Sequence, residues 1–462
     1  MSDFETDYLV VGAGATGMAF VDTLLDETDA HITMVDRRDR PGGHWNDTYP
    51  FVRLHQPASY YGVASTDLGQ ARIDQNGTNK GYEELASAPE INGYFQSVMK
   101  DRFLASGRVN FLPMTEHRGG GDLRHVLSDK AMSVNVRKRV IDARVCENGI
   151  PLTHQRKFDV AEGVTCIPPN FLPHHAKDHQ HFMILGAGKT GMDSVVWLLE
   201  SGAQPDQIGW VVPRDPWTIN RGFSQPSGAF YQENMGGMAR QMQAVVDAGS
   251  VDELALGMEE AGIWMRLDPN VTPQIMHGPT LSRAELQRLQ EVPDIIRMGH
   301  VQSIESDRMT LAQGTRRAKP GTLYIDCTAR ALGHSNTWPI FTDERVGLQM
   351  IRLYQPTFSA ALLARIEAMP MNDKARNALA QPVPMTDDVQ SWIRSQIVTL
   401  MNQNAWSQVP ELRDWIKSCR LDGFGRPSRE VDRDDPANRA LFEQVRNLSM
   451  PAFANMQKLA AA

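Results

Sequence analysis

The stretch "DYLVVGAGATGM" at residues 7–18 decides the fold, and "HFMILGAGKTGMD" at residues 181–193 repeats its pattern. Each stretch begins with an apolar run that predicts a buried strand, and glycines spaced G-x-G-x-x-G follow at once. The glycines of the pattern are, in chain order, Gly12, Gly14, Gly17, Gly186, Gly188 and Gly191. A strand, this glycine turn and a helix form the dinucleotide-binding unit of the Rossmann fold. Two copies therefore predict two nucleotide-binding domains.

The tripeptide Gly188-Lys189-Thr190 invites another interpretation, because it also ends the P-loop pattern G-x-x-x-x-G-K-[ST]. That pattern needs a leading glycine five residues before Gly188, where the chain has Met183 inside the apolar run. The P-loop interpretation is therefore excluded. Lys189 and Thr190 are instead expected in the dinucleotide-binding turn of the second unit.

The first unit continues with a predicted helix over 16–26 and a second strand, "HITMVD", that ends at Asp36. The glycine turn lets a pyrophosphate approach backbone N–H groups at the positive end of this helix. Asp36 follows Gly12 by 24 residues (36 − 12), close to the spacing of about 20 at which an acidic residue binds ribose hydroxyls. The first unit is therefore predicted to hold a dinucleotide through its glycines and Asp36.

The second unit differs at the equivalent strand end. Its second strand, "IGWVVP", leads to Arg214, and an arginine at this position suits the 2′-phosphate of NADP. Asp215 stands beside it and counts against that choice, since an acidic residue suits the free ribose of NAD. Arg214 favours NADPH, and NADH stays open.

Composition excludes several classes of protein. The 462 residues are 41% hydrophobic and 22% charged, which is typical of a soluble globular protein of two or three domains. A net charge of −8 gives no basic footprint for nucleic acid, and no apolar run is long enough to span a bilayer. The acidic N-terminus enters the first strand at once, so we expect no signal peptide and a cytoplasmic protein.

Cysteine and histidine spacing argues against dithiol and metal chemistry. The four cysteines form no C-x-x-C motif, which dithiol reductases and structural zinc sites use. A group of histidines lies in a proline-flanked linker, where a solvated loop is the expected structure: His174, His175, His179 and His181. No metal site is therefore expected.

The order of these elements predicts an α/β protein with two Rossmann-like dinucleotide-binding domains, the second inserted in the first, and a C-terminal helical extension. The predicted parts are 1–175 with 320–370 for the first domain, 176–319 for the second domain, about 228–262 for a helical insertion in the second domain, and 371–462 for the extension.

Over about residues 5–370 the chain resembles the flavin-containing monooxygenases and the Baeyer–Villiger monooxygenases, which are flavoproteins with two dinucleotide-binding domains. The residues that carry the resemblance are "VDRRDRPGGHW" at 35–45, Tyr49-Pro50, Arg53, "GAGKTGMD" at 186–193, Arg214 and "LYIDCTARALG" at 323–333. The chain departs from these families in lacking their linker motif F-x-G-x-x-x-H-x-x-x-[WY]. It also has His55 where the Baeyer–Villiger enzymes have an aspartate.

The resemblance implies that FAD binds the first unit and NADPH the second. Reduced FAD would react with O₂ to give a C4a-(hydro)peroxyflavin, which inserts one oxygen atom into a small-molecule substrate. The helix of "PTFSAALLARIEA", with its cap near Thr357 or Ser359, would direct its positive end at the flavin, or it is an ordinary capped helix. The implied cofactor-binding residues, beyond the six glycines, are Asp36, Arg37, Gly43, Trp45, Lys189, Thr190, Arg214 and Thr357.

The loop "RLHQP" at 53–57 supplies the candidate catalytic residues Arg53, His55 and Gln56. It follows the ribose-binding strand, and the resemblance places it against the flavin. Arg53 would be a fixed positive charge. His55, whose ordinary pKa is near ~6.5, would change charge during turnover. The alternative for His55 is a histidine that only packs the loop.

Two further functions stay open. One is a flavin-dependent dehydrogenase or oxidase of the same fold without a stable peroxyflavin, and the missing linker motif is its support. The other is a non-catalytic nucleotide-binding scaffold. The expected partners are a small-molecule substrate and O₂, with neither nucleic acid nor a membrane, and a homodimer is left open.

Overall fold

The computed structural model describes residues 2–145, 149–330, 337–423 and 425–461. The last three residues of "LYIDCTARALG" lie outside these ranges. Within the described residues the strands are β1 (Phe4–Val11), β2 (Ile32–Val35), β3 (Val109–Leu112), β4 (Thr115–Gly119), β5 (Asp122–His125), β6 (Ala131–Asp142), β7 (Asp159–Val160), β8 (Cys166–Ile167), β9 (His181–Leu185), β10 (Ile208–Val211), β11 (Thr218–Asn220), β12 (Trp264–Met265), β13 (Thr280–Leu281), β14 (Asp294–Ile296), β15 (Val301–Ile304), β16 (Arg308–Leu311), β17 (Gly314–Arg317), β18 (Thr322–Asp326) and β19 (Arg345–Gly347). The α-helices of the same ranges are α1 (Ala15–Glu27), α2 (Ala88–Ser97), α3 (Leu172–His175), α4 (Lys189–Glu200), α5 (Tyr231–Asp247), α6 (Val251–Glu260), α7 (Arg283–Gln290), α8 (Pro356–Ala368), α9 (Asp373–Leu379), α10 (Val389–Ser407), α11 (Pro410–Ser418), α12 (Arg426–Glu430) and α13 (Pro436–Ala461).

The first sheet has the strand order β3-β2-β1-β6-β5-β4, with β19 against β6. β1 pairs in parallel with β2 and β6, whereas β4, β5 and β6 pair antiparallel. Successive side chains of β1 enter two different cores, as expected for a strand buried on both faces. Tyr8 and Val10 pack with α1 and α8, while Leu9 and Val11 pack with β5 and β6. The first glycine turn therefore lies at the carboxyl end of a central strand, as in a Rossmann unit.

The second sheet is parallel throughout its described strands, in the order β14-β10-β9-β18-β8. β18 lies beside β9, with Thr322 opposite His181. The sequence assigns residues 322–326 and 166–167 to the first domain, but both segments are strands of this second sheet. Local patterning cannot reveal which distant strand a segment pairs with. Because β7 also pairs with β15, we call residues 159–326 the second unit and the first sheet with its connections the first unit.

Helices α5 and α6 lie within the predicted insertion and pack against the C-terminal extension. Leu254 and Met258 of α6 share one apolar core with Trp392 of α10 and Met456 of α13. The extension is helical, as predicted. No helix in the described part of the chain is both long and apolar enough to cross a membrane. The α/β fold class predicted from the sequence is confirmed.

Candidate dinucleotide and active site

The first glycine turn joins β1 to α1 in a conformation that favours glycine. Gly12 has φ +108°, and a Cβ on Gly17 would lie 2.1 Å from the Gly12 carbonyl oxygen, where helix and strand approach each other. Gly14 caps α1 and brings no side chain, so the first N–H groups of the helix need acceptors from outside it. A pyrophosphate bound at a helix N-terminus supplies such acceptors.

Asp36 and Gly43 surround this turn. Asp36 is buried, and its Oδ2 accepts a 2.7 Å hydrogen bond from the Ala13 N–H, which ties the end of β2 to the turn. A Cβ on Gly43 would lie 2.8 Å from the Gly14 Cα, so only glycine permits this approach of two backbones. The structure therefore brings the predicted glycines and Asp36 together in one cradle.

The second glycine turn repeats this geometry between β9 and α4. Gly186 has φ +115°, and a Cβ on Gly191 would lie 2.2 Å from the Gly186 carbonyl oxygen. Gly188 caps α4, and a Cβ built on it would meet no described atom within 4 Å. Both turns present a helix N-terminus beside a glycine, so the residues fit a dinucleotide in each unit.

Lys189 and Asp193 of α4 meet a tyrosine of the first unit. The Tyr49 hydroxyl donates a 2.7 Å hydrogen bond to Asp193 Oδ2, and the Lys189 ammonium contacts Asp193 Oδ1 from one helical turn away. Thr190 is the second residue of α4 and is half-buried. Burial raises the pKa of the Tyr49 hydroxyl and of the Asp193 carboxyl. These motif residues therefore form part of the boundary between the two units.

A buried ion pair extends this contact to the loop that carries His55. Glu285 of α7 lies 3.7 Å from Lys189 Nζ and 2.6 Å from Arg221 Nη1. Burial alone would raise the pKa of Glu285, but the charges of Lys189 and Arg221 overcome it and lower that pKa to about 2. The Arg221 side chain is 0% exposed, and its Nε donates a 2.8 Å hydrogen bond to the His55 carbonyl oxygen.

The surroundings of His55 shift the pKa of its side chain. Burial, together with the positive charges of Lys189 and Arg221, lowers the pKa of its imidazole to about 3. These surroundings favour a neutral ring at physiological pH, and a change of charge of His55 during turnover stays a prediction. The two positive charges come from the second unit, so the sequence around His55 could not indicate them.

The neighbours of His55 in the loop differ in position. Arg53 is exposed, and its Nη1 donates a 3.3 Å hydrogen bond to the Leu85 carbonyl oxygen. Gln56 is half-buried. The Leu54 N–H between them donates to the Ala86 carbonyl oxygen at 2.9 Å. The loop therefore brings His55 to the boundary between the units and leaves the Arg53 side chain at the surface.

Arg214 follows β10, and its side chain is 44% exposed, with Nη1 3.9 Å from Asp387 Oδ2. Asp215 has a different environment. It is buried and accepts two 2.9 Å hydrogen bonds from Arg297. The Asp215 carboxylate is therefore bound within the protein, whereas the Arg214 side chain lies partly at the surface.

Three other predicted cofactor contacts lie in different environments. Arg37 is exposed after β2, whereas Trp45 is buried and donates from Nε1 to the Tyr61 hydroxyl at 2.8 Å. Thr357 is buried in the first turn of α8. The sequence predicts a cap near Thr357 or Ser359, whereas in the structure α8 begins at Pro356 and Gln355 is its cap. A proline at the first helical position favours this start.

Sequence reasoning missed Glu285. Its only local signal is the sequence "SRAE" at 282–285, which forms a capping box: the Ser282 N–H donates to Glu285 Oε2 at 2.6 Å, and the Glu285 N–H to Ser282 Oγ at 3.0 Å. A capping box explains the glutamate by itself. Nothing nearby in the sequence indicates that the same carboxylate also binds Arg221.

The histidines of the linker are not arranged as metal ligands. Within the described residues, no three His, Cys, Asp or Glu side chains are grouped closely enough to hold a metal ion. His179 instead contacts the Gly321 carbonyl oxygen through Nδ1 at 2.8 Å, which ties the linker to the turn before β18.

Comparison with known proteins finds relatives in sequence and in fold. Residues 10–64 match the family described as NAD(P)-binding Rossmann-like domain. The chain is 42% identical over 417 residues to "Uncharacterized protein Mb2023" of Mycobacterium bovis and to "Uncharacterized protein Rv2000" of Mycobacterium tuberculosis. The matched region covers 90% of this chain and 77% of each relative.

A solved structure supports the fold. The crystal structure of cyclohexanone monooxygenase with bound epsilon-caprolactone matches over 94% of this chain and 99% of that one, with a TM-score of 0.51 and 12% sequence identity. At this identity the likeness shows the fold alone.

Proposed function

The chain belongs to the family of the mycobacterial proteins Mb2023 and Rv2000, and we propose that it is an FAD- and NADPH-dependent monooxygenase. Its fold, that of a flavoprotein with two dinucleotide-binding domains, is the basis of this proposal. The supporting observation is the boundary between the two glycine-turn units. Tyr49 and His55 of the first unit contact Asp193 and Arg221 of the second. An enzyme that passes electrons between two dinucleotides needs both binding units on one such boundary.

In this proposal each glycine turn holds one coenzyme. FAD would bind the first turn, with Asp36 on its ribose and Gly43 beside its pyrophosphate, and NADPH would bind the second turn, with Arg214 on its 2′-phosphate. Bound FAD would supply hydride acceptance from NADPH and electron transfer to O₂. The substrate would be a small molecule, and the proposal includes the expected cytoplasmic location.

The protein's own part is to position the coenzymes and to exclude water. Phe51 of the first unit stacks on Trp197 of α4, with ring centroids 5.2 Å apart. The Tyr49 ring packs against Phe51 at 4.8 Å while its hydroxyl binds Asp193. The boundary therefore combines apolar ring packing with a few directed hydrogen bonds, as binding sites for organic cofactors commonly do.

One observation favours the second candidate function, a flavin-dependent oxidase or dehydrogenase. A monooxygenase has to stabilise negative charge that develops during oxygen transfer, and preorganised donors or positive charges do this. The low pKa of His55 leaves its imidazole neutral, and the positive charge of Arg221 is already balanced by Glu285. If no other group supplies positive charge, O₂ would be reduced to hydrogen peroxide, and no oxygen atom would be transferred to the substrate.

Anaerobic mixing of the purified protein with NADPH or NADH, followed by air, tests these functions together. The monooxygenase proposal predicts yellow protein, loss of flavin absorbance with NADPH, and ¹⁸O from ¹⁸O₂ in the product of a small ketone or sulfide. Peroxide in stoichiometric yield with every compound of such a panel would favour the oxidase. Flavin that NADPH and NADH both leave oxidised would favour the non-catalytic scaffold.

A further inference from the structure

Arg221 is a fully buried arginine whose hydrogen-bond partners come from both units. In the first unit its Nε donates to the His55 carbonyl oxygen at 2.8 Å, and its Nη1 to Asn79 Oδ1 at 3.1 Å. In the second unit its Nη2 donates to the Thr280 carbonyl oxygen at 3.2 Å, and its Nη1 lies 2.6 Å from Glu285 Oε2. A guanidinium has its donors in a fixed planar fork, so these contacts fix two loops of the first unit relative to the second.

The same carboxylate connects Arg221 to the second glycine turn. Glu285 lies 3.7 Å from Lys189 Nζ, and Lys189 is the first helical residue after the glycine cap of α4. The side chains of Lys189 and Glu285 are each 10% exposed, and that of Asp193, the other partner of Lys189, is 13% exposed. Positive and negative charges therefore alternate from Asp193 to Arg221 along the boundary.

A ligand at the second glycine turn would act on this row of alternating charges, which runs from Asp193 to Arg221. Each of these largely buried charges relies on its neighbours for compensation, because little water can replace a lost partner. A pyrophosphate at the second glycine turn brings negative charge beside Lys189 and competes with Asp193 and Glu285 for its ammonium. A change in the partners of Glu285 alters its pairing with Arg221, whose Nε is bound to the His55 carbonyl.

We propose that Arg221 is a positioning residue that couples the second glycine turn to the His55 loop. Through Glu285 and Lys189, a nicotinamide dinucleotide bound in the second unit changes how firmly residues 51–58 are held in the first. The inference rests on the proposed function only in taking the second glycine turn as a nicotinamide dinucleotide site. Arg221 would transmit the effect of dinucleotide binding to the His55 loop without touching either coenzyme.

The proposal is tested by hydrogen exchange in the His55 loop. The peptide 51–58 contains protected amides, since the Leu54 N–H donates to Ala86 and the Ala58 N–H to Glu84. Exchange is measured by mass spectrometry with and without NADP⁺ in the purified flavin-loaded protein. The variants are Arg221→Lys, which keeps the charge but loses the planar fork, and Glu285→Gln, which keeps the shape but loses the charge.

A matched control is present in the same unit. Arg266 binds Glu259 through two contacts, at 2.7 and 2.6 Å, and both residues lie within the second unit. Arg266→Lys therefore disturbs a short arginine–carboxylate pair without touching the first unit. It controls for a general loss of stability in the second unit.

In the wild type and in Arg266→Lys, NADP⁺ should change exchange in peptide 51–58 by about fivefold or more, the lower end of typical coupling between sites. In Arg221→Lys and Glu285→Gln this response should disappear, and exchange without NADP⁺ should be faster than in the wild type. Binding of NADP⁺, measured by calorimetry, should persist in both variants. A wild-type response in Arg221→Lys, or an equal loss in Arg266→Lys, would overturn the proposal.

Failure of the proposed function gives a different result. If calorimetry shows that the wild type binds neither NADP⁺ nor NAD⁺, the second glycine turn is not a nicotinamide dinucleotide site. The proposed coupling of that site to the His55 loop is then overturned as well. Faster exchange of 51–58 in Arg221→Lys than in Arg266→Lys would still support the positioning of the loop by Arg221. Equal exchange in these two variants would remove that role as well.

Discussion

The Tyr49 hydroxyl donates a 2.7 Å hydrogen bond to Asp193 Oδ2, which joins two residues 144 positions apart across the boundary between the two units. Asp193 also contacts Lys189 at the start of α4. The bond therefore links the first unit to the helix whose N-terminus forms the second glycine turn.

Tyr49→Phe should lower the free energy of unfolding by about 1–3 kcal/mol, because a buried carboxylate loses a donor that water does not replace. Urea denaturation measures this. Tyr231→Phe is the control, since the Tyr231 hydroxyl makes a longer bond of 3.4 Å to the Asn438 carbonyl and should contribute less. Equal losses of unfolding free energy in the two variants would show that the Tyr49–Asp193 hydrogen bond contributes no more than the longer bond of Tyr231.

Gly14→Leu should give a folded but colourless protein. Gly14 has φ −78°, which suits any residue, and a Cβ on it would lie 3.5 Å from the Gly43 Cα, an ordinary contact. The leucine side chain would occupy the space of the pyrophosphate, so FAD should be lost. The measurements are bound flavin per chain and thermal unfolding. Gly93→Leu, at a helical position with open space around it, should stay yellow, and full flavin in Gly14→Leu would disprove FAD binding at the first turn.

Arg214→Ala should raise the KM for NADPH by about 10- to 150-fold, the equivalent of a charged hydrogen bond of roughly 1.5–3 kcal/mol. The KM for NADH should stay nearly unchanged, because NADH has no 2′-phosphate. Steady-state oxidation of both coenzymes measures this. Arg308→Ala, which removes another exposed arginine of the second unit, should change neither value. A similar rise with both coenzymes would contradict the assignment.

His55→Gln should make stability less sensitive to acid. The pKa of His55 is about 3 in the folded protein, against an ordinary value of 6.5, so between these values the unfolded chain binds a proton that the folded chain does not. Stability is therefore lost as the pH falls from 6.5 towards 3, by up to about 1.4 kcal/mol per pH unit.

Urea denaturation between pH 4 and 8 should show a shallower loss in His55→Gln than in the wild type. His300→Gln, which replaces an exposed histidine, is measured beside it as the control. Identical slopes in the wild type and His55→Gln would mean that the imidazole is not held neutral by its surroundings.

The fold could be predicted from the sequence because its decisive signals are local. Each glycine turn follows its own strand, and Gly17 and Gly191 are needed where helix and strand backbones approach within one short segment. The assignment of β18 to the second sheet could not be predicted in the same way. It depends on the pairing of Thr322 with His181, which are far apart in the chain.

The candidate site also contains residues that local sequence indicates and residues that only the fold brings together. Asp36 could be placed at the first turn from its spacing, and the structure ties it to Ala13 there. Arg221 and Glu285 could not be connected, because they are 64 positions apart (285 − 221) and the capping box with Ser282 explains Glu285 by itself. The low pKa of His55 follows from charges that only the folded chain brings to it.

The central claim is that FAD on the first turn is reduced by NADPH on the second, and Gly188→Leu tests it most directly. A Cβ at Gly188 meets no described atom within 4 Å, so the variant should fold, keep its FAD and stay yellow, while the leucine blocks the second turn. In anaerobic stopped-flow mixing with NADPH, the wild type should lose its flavin absorbance and Gly188→Leu should keep it. Equal reduction of the two proteins, or no reduction of the wild type, would contradict the account.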